Sequence, residues 1–152
     1  MKNFYQKGFT IMEALILVAV IGLIVLIVLP QFSKIRENQV LKTGVQDILS
    51  SIDKARSKTL SSLNSSEYGV HFQADKVIIF KGIVFSDISP DNETINIISP
   101  ASITNISLVG GGSDIYFNRL LGVPSKTGTV TIATTNYNKI ITISATGVAS
   151  SN

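Results

Sequence analysis

The sequence predicts an α+β fold, a long N-terminal α-helix packed on a C-terminal antiparallel β-sandwich or sheet domain. Three observations predict it. The stretch Phe9 to Phe32 is apolar apart from one acid, Glu13. Apolar residues then recur every three or four positions from Leu41 to Thr59. Beyond Tyr68 the chain turns into short Thr/Ile/Val-rich runs separated by turn residues.

Between Ala14 and Ser33 there is no ionisable side chain. Twenty residues of α-helix rise about 30 Å, the thickness of a bilayer's hydrocarbon core. A membrane-spanning helix over 9–32 is the leading reading. A secretory signal peptide competes with it, but its apolar region would be roughly 7–15 residues long and end in a small-residue cleavage site. Here the run is longer, and "PQFSKIREN" follows. Lys2 and Lys7 precede the span, and Lys34, Arg36 and Lys42 follow it, so charge bias leaves its orientation open. Glu13 is an anomaly, because an acid at the centre of a membrane helix costs roughly 2.5–3.5 kcal/mol on insertion scales. Gly22 and Pro30 are positions where the helix ladder is weakened or broken, and Pro30 predicts a kink.

From 33 to 63 the pattern becomes amphipathic. Leu41, Val45, Ile48, Ile52, Ala55 and Thr59 form one stripe, which Leu49, Leu60 and Leu63 widen. Lys42, Asp47, Asp53, Lys54, Arg56 and Lys58 lie mostly off it, and Gly44 weakens the helix locally. The stripe predicts a helix with one face on a core, ending in the linker "SSLNSSEYG".

Residues 68–152 predict a β-rich domain. "YGVHF" and "KVIIFKG" flank Gln73, Ala74 and Asp75, a hairpin pattern. "TINIIS", "NISLV" and "DIYFN" read as strands, and "TGTVTIAT" and "KIITISAT" as a second hairpin around Thr135, Asn136, Tyr137 and Asn138. Residues 82–94 and 110–112 read as loops.

Composition excludes several functions. The chain has no cysteine, hence no disulfide, thiolate chemistry or Cys-ligated zinc. His71 is the only histidine, and its alternation with Val70 and Phe72 points it to the surface or into a loop. No enzyme signature, cofactor motif or metal site is present. "LVGGGSD" lacks the Gly-Lys-Ser/Thr of a phosphate-binding loop. Asp87, Asp91, Glu93 and Asp114 offer calcium ligands without EF-hand spacing. The net charge is +3, but Lys2 and Lys7 supply two of those charges, leaving a surplus of one elsewhere. Bulk charge therefore gives no argument for nucleic acid.

The N-terminal residues carry a resemblance. A short basic leader, "MKNFYQKG", ends in Gly8; Phe9, Thr10 and Glu13 follow, then the long apolar helix with Gly22 and Pro30. This resembles the type IV prepilin family, which includes type IV pilins and type II secretion pseudopilins. The resemblance implies cleavage by a prepilin peptidase between Gly8 and Phe9 and N-methylation of Phe9. It also implies a cytoplasmic leader, an extracytoplasmic C-terminal domain, and residence in the bacterial inner membrane before entry into a pilus or pseudopilus. Residues 1–8 would be the leader and 9–32 both the membrane span and the filament core. Glu13 would pair with the Phe9 ammonium of a neighbouring subunit, and the helix would melt locally between Gly22 and Pro30 on assembly. The partners implied are other pilins or pseudopilins, an inner-membrane assembly platform with a separate ATPase, and the lipid bilayer. Further along, "YGVHF", "IYFNRLLGVPSKTGTVTIAT" and "KIITISATGVAS" are similar to minor pseudopilin H and FimT-like domains, although this chain has no tryptophan.

Three function classes remain open at this stage. The first is a structural subunit, minor by this resemblance, of a pilus or secretion pseudopilus. The second is a DNA-binding minor pilin for uptake, with Arg119, Lys126 and Lys139 as dispersed candidate phosphate contacts. The third is a single-pass anchored binding domain that never polymerises.

Overall fold

The computed structural model describes residues 8–152, with the backbone alone for 29 and 30. The leader positions before Gly8, including Lys2 and Lys7, lie outside the described residues. Helix α1 runs from Ile11 to Leu60. The chain divides into two compact units, Met1–Arg36 and Glu37–Asn152.

In the first unit, side chains from Phe9 to Val28 are exposed all round the helix. A helix apolar on every side has no place on the surface of a water-soluble domain. This segment is long and apolar enough to cross a membrane. Helix α1 continues through both Gly22 and Pro30. A proline removes only one donor, and the turns around it can hold the helical path.

The second unit is built around the amphipathic part of α1. The six stripe positions Leu41, Val45, Ile48, Ile52, Ala55 and Thr59 are all buried. Gly44, expected only to weaken the helix, has a packing role. A Cβ there would sit 2.6 Å from Ile132 Cδ1, so glycine lets the helix approach the sheet. The stripe ends sooner than expected. Leu60 and Leu63 are exposed, because the helix stops at Leu60 and the chain turns through left-handed Ser62, Asn64 and Ser65. Thr59 fixes that reversal. Its buried hydroxyl donates to the Ala55 carbonyl at 3.0 Å and accepts from the Tyr68 amide at 2.9 Å.

Eight strands follow: β1 (Tyr68–Phe72), β2 (Lys76–Lys81), β3 (Glu93–Asn96), β4 (Ser102–Leu108), β5 (Asp114–Tyr116), β6 (Gly128–Ala133), β7 (Asn138–Ile143) and β8 (Ala149–Ser151). They form two antiparallel four-stranded sheets, ordered β3-β2-β1-β5 and β4-β6-β7-β8. The fold is therefore α+β, one long helix packed on two antiparallel sheets, as the sequence predicts. One core joins Ile48 and Ile52 of α1 to Val70, Phe72 and Ile79 of the first sheet and to Val130, Ile132 and Ile141 of the second.

The β1–β2 hairpin has the expected register around Gln73, Ala74 and Asp75. Elsewhere the boundaries move. "TINIIS" is strand only to Asn96; Ile97 drops into the core, its amide donating to the Asp75 carbonyl at 2.8 Å, as the chain crosses between sheets. β4 starts at Ser102, before "NISLV", and leaves Val109 exposed outside it. The β6–β7 turn is Thr134–Tyr137, closed by Thr134 N–H donating to the Tyr137 carbonyl at 2.8 Å. β4 pairs only with β6, and its register shifts between Ile103 and Asn105, a bulge at Thr104.

The first sheet is buried on both sides. Val77 and Ile79 face the common core, while Ile78 and Phe80, pointing the other way, are also buried. The 82–92 loop covers that second side with Phe85, whose ring stacks on His71 at 3.8 Å and meets Phe80 edge-on at 5.6 Å. Of the two expected placements for His71, surface or loop, the structure gives the second: it is half-buried under a loop.

Ile52→Ala in the 37–152 unit should lose about 2–5 kcal/mol of stability, because it opens a cavity where all three layers meet. Gly69→Ala should lose about 1–3 kcal/mol, since the new Cβ collides with the Phe80 ring and the Ile115 carbonyl oxygen. Val84→Ala, on an exposed side chain, should stay within about 0.5 kcal/mol. Urea midpoints for the three variants check this ordering.

Candidate functional site

The residues singled out in the sequence fall in two places, the start of α1 and the surface of the β-domain. At the first, Gly8, Phe9 and Thr10 precede the helix in non-helical backbone. Phe9 is 70% exposed. A Cβ on Gly8 would meet nothing within 4 Å, so packing gives no reason for glycine there. The Gly8–Phe9 peptide bond lies in irregular backbone just ahead of the helix, and among the described residues nothing packs on it.

Thr10 and Glu13 make the helix start. The Thr10 carbonyl accepts from Ala14 N–H at 3.1 Å, and the Thr10 hydroxyl accepts from Glu13 N–H at 3.3 Å. Thr10 is the N-cap, and Thr-Ile-Met-Glu is the sequence of a capping box. The acid also lies in the first turn, at the positive end of the helix dipole. Part of the cost of Glu13 is thus offset within its own helix, a role the sequence analysis missed. The signal was there: a Ser/Thr-x-x-Glu ahead of an apolar run.

Gly22, midway along the apolar segment, also has nothing within 4 Å of an added Cβ. Its small size serves no contact within the chain. In lipid, such a residue lets a second helix come close.

The candidate phosphate contacts in the β-domain do not converge. The Arg119 guanidinium donates to the Ser65 carbonyl at 3.1 Å and reaches Ser62 Oγ at 3.4 Å, bracing the turn after α1. Lys126 Nζ donates to the Gly111 carbonyl at 2.9 Å and ties down the triple-glycine loop. Lys139 lies on β7 beside Lys42 of α1. The candidate calcium acids are likewise dispersed. Glu93 is taken by Lys54 and Lys58, the latter at 2.9 Å, and Asp91 lies 3.6 Å from Lys81. Among the described residues, no three His, Asp or Glu side chains gather as metal ligands.

Burial raises the Asp47 carboxyl above its ordinary value, and two further groups are lowered. Hydrogen bonds from Lys54 and Lys58 hold the Glu93 carboxyl below the usual glutamate range. Burial under Phe85 pushes the His71 imidazole below its ordinary value, against the opposing pull of Asp114 and Asp87. His71 Nδ1 has no hydrogen-bond partner, which fits a neutral, stacked ring.

Comparison with protein-family models, with curated proteins and with solved structures returned no match.

The shifts fix the sign of two pH effects. Glu93 and His71 have depressed values in the folded state, so the unfolded chain binds more protons as pH falls, and stability falls with it. The Glu93 contribution is complete above about 4.3 and is lost as pH drops through the depressed value. Glu93→Gln should therefore be less stable than the parent at pH 7, with the gap closing towards pH 3. The His71 contribution is complete above about 6.5 and is lost below it. His71→Gln should flatten the stability profile between pH 7.5 and 5. Urea titrations from pH 7.5 down to 3 check both.

Proposed function

We propose that this chain is a structural subunit, in a minor role, of a type IV pilus or type II secretion pseudopilus, made as a membrane precursor and assembled through helix α1. The observation that carries the reading is the start of that helix. The Gly8–Phe9 bond leads into a capped first turn containing Glu13, and an apolar segment that no other described residue covers follows.

The reading assigns each part a step. A prepilin peptidase cuts after Gly8, and the new Phe9 amine is methylated, which leaves it protonated. The subunit waits in the bacterial inner membrane with its β-domain outside the cytoplasm. On assembly, driven by a platform with its own ATPase, the apolar segment leaves lipid for the company of identical or related helices. Exchange of lipid for helices keeps apolar surface covered throughout, so it carries little hydrophobic penalty. The ammonium of Phe9 and the carboxylate of Glu13 then set the register. Opposite charges attract strongly in a low-dielectric interior, and a charge left without its partner there is heavily penalised. A subunit one position out of register leaves both charges unpaired. Gly22 permits close helix approach, and local melting between Gly22 and Pro30 would belong to this packed state.

Gly8→Ala should retain the leader and block assembly, as read by the mass of the membrane-bound chain and by sheared surface fractions. Normal processing of that variant would overturn the proposal. Glu13→Ala should be processed and inserted normally but fail to assemble; full assembly would point to a single-pass anchored domain. Soluble residues 37–152 should show no salt-sensitive DNA binding, and binding lost on combined Arg119, Lys126 and Lys139 to Ala substitution would favour an uptake role.

A further inference from the structure

The 82–92 loop does more than cover the first sheet. It is pinned along its length: Phe85 stacks on His71, and Asn92 Nδ2 donates to the Ser86 carbonyl at 2.7 Å and reaches that of Asp87 at 3.4 Å. Two successive turns, closed by Ser89 N–H to Ser86 O and Asn92 N–H to Ser89 O, shape its tip. On this braced tip Ile88 is 93% exposed, more than any other large apolar side chain described. Beside it stands Asp87, whose carboxylate is in none of the ion pairs among the described residues. A whole isoleucine held out to water on a rigid support is pre-organised for a partner.

A groove of about 380 Å³ lies elsewhere on the same domain, between α1 and the β7–β8 edge. Val45 and Leu49 form its apolar part, Gln46 and Ser151 its sides, and Lys42 and Lys139 its charged rim. Neither lysine pairs with an acid among the described residues. The groove is therefore the converse of the tip: an apolar hollow edged with positive charge facing an apolar knob edged with negative charge. One molecule cannot join the two. The loop connects β2 to β3, and β3 meets α1 on the Lys54–Lys58 side, whereas the groove opens on the Lys42–Gln46–Leu49 side.

We propose that the Ile88 tip of one copy of this chain seats in the Lys42–Lys139 groove of a second copy, with Asp87 facing the two lysines. The contact uses different surfaces on its two sides, so it repeats head to tail and, unless the rotation closes a ring, extends without limit. It is small, and it rests on the subunit reading above for the high local concentration that such a contact needs.

The chain has no cysteine, so a disulfide can report on it directly. Full-length protein carrying Ile88→Cys with Gln46→Cys, in phospholipid vesicles at high surface density, should give a ladder of multimers on mild oxidation. Either single substitution should give at most a faint dimer. Adding Lys42→Glu and Lys139→Glu should weaken the ladder about tenfold or more, as expected where attraction becomes like-charge repulsion worth 1.4 kcal/mol or above. No ladder, or an equal ladder when Val109→Cys replaces Ile88→Cys, would overturn the contact. Filament formation by the unmodified chain in cells is scored separately. Filaments without a ladder reject this contact and leave the proposed function standing; a ladder without filaments does the reverse.

Discussion

One helical stripe organises the folded domain. Leu41, Val45, Ile48, Ile52, Ala55 and Thr59 give both sheets a common surface to close on. Neither four-stranded sheet could bury its inner side alone, and each fully buried isoleucine contributes roughly 1.5–3 kcal/mol by leaving water. The details at either end follow from that packing. Gly44 is bare because Ile132 lies against it, and Thr59 turns its hydroxyl inward because the chain must reverse there to start β1.

The same helix continues towards its N-terminus as a surface with the opposite problem. From Phe9 to Val28 nothing among the described residues covers it. Local chemistry settles only its first turn, where the Thr10 hydroxyl satisfies the Glu13 amide, a backbone donor that would otherwise be stranded. Everything else about this segment depends on its surroundings, which under the proposed function are lipid in one state and neighbouring helices in the other. A domain that is complete in itself is joined to a segment that is not. The proposed function, a membrane subunit that polymerises, needs that division of labour.

Much of this was legible in the sequence, and the limits have physical causes. The stripe could be read because a 3.6-residue period on a helix is a one-dimensional signal. β1 and β2 could be read because apolar runs met a short polar turn. β8 could not: Ala-Ser-Ser has no alternation, and it is a strand only because β7 lies beside it. The 82–92 loop was expected, but its covering role was missed for a related reason. "KVIIFK" is apolar on consecutive positions, a sign of burial on both sides of a strand. What covers the second side is set by a single stacked pair, Phe85 on His71, far apart in sequence. At the helix start the Gly8, Phe9 and Glu13 pattern was plain, while the part played by Thr10 needed the cap geometry to be seen.

The bulge at Thr104 has a consequence of its own. β4 is the longest strand of its sheet and lies at an edge, with only β6 as a neighbour. A flat edge of that length invites another chain to add itself strand upon strand, the route to amyloid. The extra residue breaks the regular row of amides and carbonyls, and exposed Thr104 and Asn105 put polar side chains at the break. A second copy crowded against this edge is thereby hindered from adding its own strand to the sheet.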